Sequence, residues 1–408
     1  MEKYYLWLLQ LMGFANPRTH ILLRHYGSAE NAYNAITQGD RTFFKQNEPT
    51  YLKRASLEKS EKIINDCSRK GIRVVTIDDA DYPFRLKNIY NPPVLLFVKG
   101  NIGNIDDEIC ITGVGARTPS PYSEKICRRI CTDLSKMGVT LVSGMAYGID
   151  RAVHESAVAL GNRTIGVLAC GFDVEYPRNS REFAERVVME NGAVISELLP
   201  STNVNPNYFQ ARNRILSGLS IGTMVFQAGV KSGSLITANY AVQQGRELFC
   251  VPPHDVFDPQ YAGVIGYLRD GAIPLFNHLD VVNTFFSQFT DEAIMLSKEN
   301  YNINPDRDFV FEKKKDNAKS DETPAKEPEK EAKEADDNQE QTVSIDTSNM
   351  SFEFRTVAEL LSDGPKHIDI LIRKSGFNAG KINEILIDME LEGLIECMPG
   401  ANYKLTVN

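Results

Sequence analysis

Two short apolar runs, each ending in a glycine turn, constrain this chain more than any other feature. Ile109-Cys110-Ile111-Thr112 leads into Gly113-Val114-Gly115-Ala116-Arg117. Val139-Thr140-Leu141-Val142 leads into Ser143-Gly144, and a helical pattern from Pro121 lies between the two runs. A β-branched run, a helix and a second run make a βαβ unit with parallel strands. The pattern then repeats, with candidate strands at 164–168, 193–196, 221–226 and 247–251 and helices beginning near Tyr147, Ser180, Asn207 and Ser232. Alternation on this scale predicts an α/β protein with a Rossmann-like core, a parallel sheet covered by helices on both faces. The turns after such strands gather at one sheet edge, which is where ligands bind.

The remaining segments read as additions to that core, since 408 residues exceed what one core holds. Residues 1–75 carry helical patterns: an apolar run, Tyr5 to Met12, closing at Gly13, a second helix from Pro17 to Tyr26-Gly27, and a third capped by Ser28. This is a helical N-terminal domain of the SAM or helix-hairpin-helix kind. Its turn, Gly13-Phe14-Ala15-Asn16-Pro17, lacks the paired glycines that let a phosphate approach two N–H groups, which favours docking over DNA binding. Residues 76–105 are a lead-in in which Pro92-Pro93 turns the chain into a strand, and the core runs to about residue 290. Residues 291–350 are a linker expected to be disordered. Their central stretch, 312–341, holds seven lysines and eleven acidic residues with no aromatic and only Thr323 β-branched. Residues 351–408 read as a winged helix, with helices at 357–361, 368–372 and 379–392 and a hairpin from Leu394 to Leu405. The third helix carries Lys381 but also Glu384, Asp388, Glu390 and Glu392. Phosphates repel such a helix, so protein docking or regulation is the expected role.

Composition excludes several classes. No run of about 18 apolar residues is present, so no membrane partner is expected. The N-terminus lacks the basic-then-apolar order of a signal peptide, and a cytoplasmic location is expected. The seven cysteines sit mostly in apolar runs without metal-ligand spacing, which reads as buried free thiols. A net charge of −9 does not announce a polyanion binder, although fifteen basic and ten acidic residues precede residue 105. Any such site must be a local cluster.

Five turns supply that cluster. Gly113 and Gly115 with Arg117 form a backbone nest suited to phosphate. A dinucleotide fingerprint is contradicted by Thr118 at the third glycine position and by Ser143 where a ribose-binding acid belongs. Ser143 and Gly144 repeat the turn at the second strand. Asp150 and His154, four apart, form a conceivable acid–base pair, but an Asp hydrogen-bonded to His154 at a helix start is the better reading. Tyr176-Pro177-Arg178 brings a further arginine. Arg212 and Arg214 flank Asn213 at a helix start and suit either phosphate or an internal cluster with Glu197. Lys231-Ser232-Gly233-Ser234 with Thr237 opens another helix without the G-x-x-x-x-G-K-[ST] of an ATPase loop. A row of phosphate-sized sites suits an extended polyanion, and arginines that also stack on bases suit a single strand.

Taken together, Val114-Gly115-Ala116-Arg117, Ser143 to Asp150 with His154, Gly171-Phe172-Asp173 with Tyr176-Pro177, Ser196-Glu197, Phe209 with Arg212-Asn213-Arg214, and Ser232 to Ala238 resemble the DNA-processing protein A family, also called Smf. The resemblance implies a non-catalytic protein, without cofactor or metal, that binds single-stranded DNA, commonly as a homodimer. It also implies loading of a RecA-type recombinase during natural transformation (competence) or DNA processing. By motif position it makes Arg117 and Arg178 the DNA contacts, with Ser143, Gly144, Arg212 and Ser232 lining the same pocket. Val251-Pro252-Pro253-His254 departs from the family's proline–glycine turn, and Gly263 to Leu268 lacks its asparagine. The competing reading is a nucleotide-binding sensor or phosphoribohydrolase-like protein on a similar sheet. That class carries P-G-G-x-G-T-x-x-E after the fifth strand, whereas Ala228 to Ser234 holds no glutamate.

Overall fold

A computed structural model describes residues 1–44, 52, 55–285, 352–398 and 401–406. The linker expected at 291–350 lies outside the described residues. The core is built on one nine-stranded sheet. Its strands are β1 (Ile72–Thr76), β2 (Leu95–Gly100), β3 (Cys110–Val114), β4 (Thr140–Ser143), β5 (Thr164–Val167), β6 (Ala193–Ser196), β7 (Gly222–Val225), β8 (Glu247–Cys250) and β9 (Ile273–Pro274). The spatial order is β1-β2-β6-β5-β4-β3-β7-β8-β9. From β6 to β9 every neighbouring pair is parallel. The chain winds outward from β3 through β4 and β5 to β6, then returns to β7 on the other side of β3. The order therefore reverses between β3 and β7, which makes that boundary the topological switch point.

The parallel sheet expected between residues 109 and 286 forms, and two earlier strands extend it, β2 pairing antiparallel with β6 and β1 antiparallel with β2. One expectation is corrected. The helical reading of residues 1–75 ends early: Ile72-Arg73-Val74-Val75-Thr76 is the edge strand, its β-branched side chains mostly buried. The N-terminal helices Glu2–Met12, Pro17–Tyr26 and Ala29–Thr37 fall where the capping signals put them. Gly13 takes a positive φ of 77°, and the Asn16 and Ser28 side chains accept capping bonds.

A buried ion pair ties these helices to the core. Arg214 Nη2 donates to Glu197 Oε1 at 2.7 Å, with the two side chains 4% and 7% exposed. Arg214 Nε donates to the Asn91 carbonyl at 2.9 Å. Glu197 Oε1 also accepts from the Ala15 backbone N–H at 3.2 Å, while Asn91 Nδ2 donates to the Ala15 carbonyl at 2.8 Å. The turn after the first helix is thus engaged by the core.

The winged helix comprises helices Phe352–Leu361, Ile368–Ser375 and Ala379–Leu391 around its own apolar cluster. Its sheet contains β10 (Lys366–His367), β11 (Ile395–Met398) and β12 (Asn402–Leu405), with the two-residue β10 beyond the expected hairpin. Asp369 reaches Arg246 Nη1 at 2.8 Å and lies 3.7 Å from Arg85 Nε, and Arg373 pairs with Asp107. Arg246 and Asp107 precede β8 and β3, so the winged helix meets the amino edge of the sheet. Six cysteines are buried and free as expected, whereas the free Cys397 on β11 is exposed.

Removing one partner of a buried pair leaves the other charge uncompensated. Glu197→Ala is expected to destabilise the protein by about 3 kcal/mol. A thermal melt that shifts by less than a degree contradicts this placement of the pair.

Candidate nucleic-acid interface

A cleft of about 610 Å³ opens at the carboxyl edge of the sheet, over the β3–β7 switch point. Its floor is the turn after β3, Val114-Gly115-Ala116-Arg117. One wall is the helix Pro206–Gly218. The other is the loop Lys231-Ser232-Gly233 with the start of helix Ser234–Gln243. The start of that helix lines the cleft, with the Ser234 backbone N–H donating to Ser232 Oγ at 3.4 Å. Ser232 and Ser234 share a 2.7 Å hydroxyl contact there, and the buried Thr237 lines the wall one turn further on.

Arg117 is exposed and stands over the Phe209 ring, its guanidinium carbon 5.0 Å from the ring centre. Its Nη1 is 3.4 Å from the Tyr176 hydroxyl, and Tyr176 meets Phe209 edge-on at 5.5 Å. A cation lying over one aromatic ring and directed by a phenolic hydroxyl keeps its charge toward solvent while the ring orients it. Exposed Lys231 adds a second cation on the opposite wall.

Of the residues expected at the site, Gly115, Arg117, Arg212, Ser232, Gly233 and Thr237 line this cleft. Gly113, Ser143, Gly144, Arg178 and Arg214 do not. Gly113 lies inside β3, where a Cβ would come within 2.6 Å of Val153, so it serves helix packing. Buried Ser143 donates to the Gly113 carbonyl at 2.7 Å. Gly144 makes room for Arg212, whose Nη2 would lie 2.5 Å from a Cβ there. Arg178 is exposed on a neighbouring loop, and its carbonyl accepts from the Tyr147 hydroxyl at 3.0 Å. Arg214 is committed to Glu197. Arg212 lines the cleft, its Nη1 donating to the Gly144 carbonyl at 2.7 Å and to the Val167 carbonyl and its Nε to Asn213 Oδ1 at 3.2 Å. Tyr176, Phe209 and Lys231 belong to the site and were not among the expected contacts. Their signal was aromatic residues interleaved with arginines at strand-following turns.

Asp150 lines the cleft beneath Arg212. Burial raises its carboxyl above the ordinary range, against the pull of Arg212 and the Ala146 N–H. Burial also lowers Arg212, to about 10. Neither expected Asp150–His154 arrangement forms. Asp150 points toward Gly144, and His154 Nδ1 meets the Thr164 hydroxyl at 2.7 Å. That hydroxyl donates to the Leu141 carbonyl, so His154 is the Nδ1–H tautomer donating to it. His154 is fully buried beside Phe183. Burial, and then Arg151 and Arg212, push its pKa down to about 3.

Fold and cleft together define a doubly wound α/β protein with an arginine- and aromatic-lined cleft and an appended winged helix. Residues 73–286 match the family model described as DNA recombination-mediator protein A, and residues 351–401 match the DprA winged helix domain. The DNA processing protein DprA of Bacillus subtilis (strain 168) is 38% identical over 223 residues, 55% of this chain and 74% of that protein. Protein Smf of Escherichia coli (strain K12) is 32% identical over 332 residues, 81% of this chain and 77% of that protein. The X-ray structure of DNA processing protein A from Streptococcus pneumoniae is similar with a TM-score of 0.57 at 28% identity, covering 69% of this chain and 98% of that one. The chain belongs to the DNA recombination-mediator protein A (DprA/Smf) family. No helix among the described residues is long and apolar enough to cross a membrane.

The folded pKa of His154 lies below its ordinary 6.5. Between those values the unfolded chain binds a proton that the folded one refuses. Its contribution to stability is therefore complete above pH 6.5 and declines as the pH falls toward 3. Urea unfolding at pH 7.5 and pH 5 is expected to show a steeper loss in the wild type than in His154→Gln. Equal slopes count against a buried neutral imidazole.

Proposed function

We propose that the cleft at the β3–β7 switch point binds single-stranded DNA and that the protein is a non-catalytic recombination mediator. The observation that carries this reading is the Arg117–Tyr176–Phe209 group beside a helix start. The cation and the helix end suit a phosphate, and the rings suit unstacked bases, which duplex DNA does not present. In this reading Arg117 and Lys231 contact phosphate, with Gly115, Ser232, Gly233 and Thr237 shaping the groove. Arg212 and Asp150 complete its lining. The nucleotide-enzyme alternative is disfavoured because Ala228 to Ser234, after β7, carries no glutamate.

Membership of a recombination-mediator family supports the further step, that the bound strand is handed to a RecA-type recombinase. The same family resemblance supports a homodimer acting in the cytoplasm on incoming or exposed strands. The 76–290 core then acts as the DNA-binding unit. The helices before it brace that core, and the winged helix at 351–408 docks or regulates.

Fluorescence anisotropy with labelled single-stranded and duplex DNA across a salt series tests the reading. Wild type is expected to prefer the single strand. Arg117→Ala is expected to weaken binding at least tenfold regardless of sequence and to lower the salt slope by about one phosphate contact. Unchanged affinity in a folded Arg117→Ala variant contradicts the assignment. If mononucleotides instead raise the melting temperature while oligonucleotides do not bind, the nucleotide-sensor reading replaces it.

A further inference from the structure

A second cavity, of about 350 Å³, lies on the far side of Tyr176, a residue that lines both it and the cleft. Its walls are apolar: Met145, Leu168, Phe172, Ala184 and Val194. Met145 and Val194 are fully packed at the base, and the Met145 thioether closes over Gly166, where a Cβ would come within 2.5 Å of the sulfur. Met145 is held at φ 58°, a left-handed conformation uncommon for a side chain of this kind.

The rim is charged but balanced. Lys70 pairs with Asp173, and Lys99 pairs with Glu185. Arg181 Nη2 reaches the Asp173 carbonyl at 3.5 Å, and the Arg181 backbone N–H is 3.4 Å from Glu175 Oε1. Three cations face three carboxylates, so this cavity has no net attraction for a phosphate, in contrast to the cleft beside it. A neutral, flat, partly apolar group fits instead, with the rim carboxylates and carbonyls available to ring N–H and amino donors.

We infer that this cavity is a nucleobase subsite, which receives a base from the same DNA strand whose phosphate lies against Arg117 on the other side of Tyr176. The inference rests on the single-strand reading of the cleft. The two sites divide the work by chemistry. The cleft attracts the backbone, and the cavity takes a base out of water between Phe172 and Met145. Such a site binds any sequence, because every base has an apolar face, but it requires that a base be present. Continuity through Tyr176 makes the occupant part of the bound strand rather than a separate ligand.

Anisotropy with a labelled twelve-residue thymidine strand, and with a strand of equal length carrying abasic residues throughout, tests the inference on the full chain. Two variants address the cavity: Ala184→Phe fills it, and Phe172→Ala removes a wall. Each is expected to weaken binding of the thymidine strand about tenfold, the scale of one lost base contact. Each is expected to leave the abasic strand and the salt slope unchanged. Wild-type affinity for the thymidine strand in both variants overturns the subsite, as does an equal loss on both strands. Should Ala184→Phe fail to fold, Phe172→Ala decides alone. Arg117→Ala separates the two levels. If it weakens both strands while the cavity variants change nothing, the subsite alone is wrong. If it too changes nothing, the single-strand reading falls and the subsite falls with it.

Discussion

The helix Pro206–Gly218 buries two guanidinium groups within one turn, and the architecture of the site follows from satisfying them. A buried arginine left unpaired is unfavourable by several kcal/mol, so each must find carbonyls or a carboxylate. Arg212 draws in the turns after β4 and β5 through the Gly144 and Val167 carbonyls and faces Asp150. Arg214 draws in Glu197 after β6 and the Asn91 carbonyl of the lead-in segment. One helix thereby sets the positions of three strand-following turns and, through Glu197, of the N-terminal helices. Arg117 is left as the arginine of the cleft whose charge faces solvent.

The opposite edge of the sheet is organised by a second set of buried charges. Asp369 of the winged helix stands between Arg246 and Arg85, with His367 beside it held neutral, its pKa lowered to about 4 by burial. Two guanidinium groups share this carboxylate. Arg85 Nε and Nη1 and Arg246 Nε have no hydrogen-bond partner among the described residues. A junction of this kind fixes orientation more than it stabilises, because the desolvation of the cations is only partly offset. It also places the acidic helix Ala379–Leu391 away from the carboxyl edge, where its carboxylates do not oppose a polyanion in the cleft.

The doubly wound core was legible because period and punctuation agree. Strands β3 to β8 begin and end within two residues of their apolar runs, and the helices start at Pro121 and Ser180 as expected and within two residues of Tyr147, Asn207 and Ser232. β1 was missed because Ile72 to Thr76 follows a helix with no glycine–proline punctuation beyond Gly71, and its partner is the distant β2. The site was half legible. Sequence identifies which turns carry glycine and arginine, but not which arginines are consumed by buried carbonyls. For Arg214 the sequence leaves phosphate and Glu197 as alternatives, and the buried pair with Glu197 decides between them. Gly113 and Gly144 likewise read as phosphate cradles, whereas their missing side chains admit Val153 and Arg212.

That distinction explains how a chain of net charge −9 presents a cleft with exposed cations. Most cations near the carboxyl edge are already neutralised: Arg214 by Glu197, Lys70 by Asp173 and Lys99 by Glu185. Local potential depends on what remains after such pairing, screened over about 8 Å at physiological salt. The exposed cations at the cleft are Arg117 and Lys231, with Arg178 exposed on the neighbouring loop. Binding set by so few contacts must fall only gently with salt, unlike that of a protein coated in lysines. Affinity beyond that level has to come from surfaces that salt does not screen, the rings of Tyr176 and Phe209 and the apolar walls that continue past them.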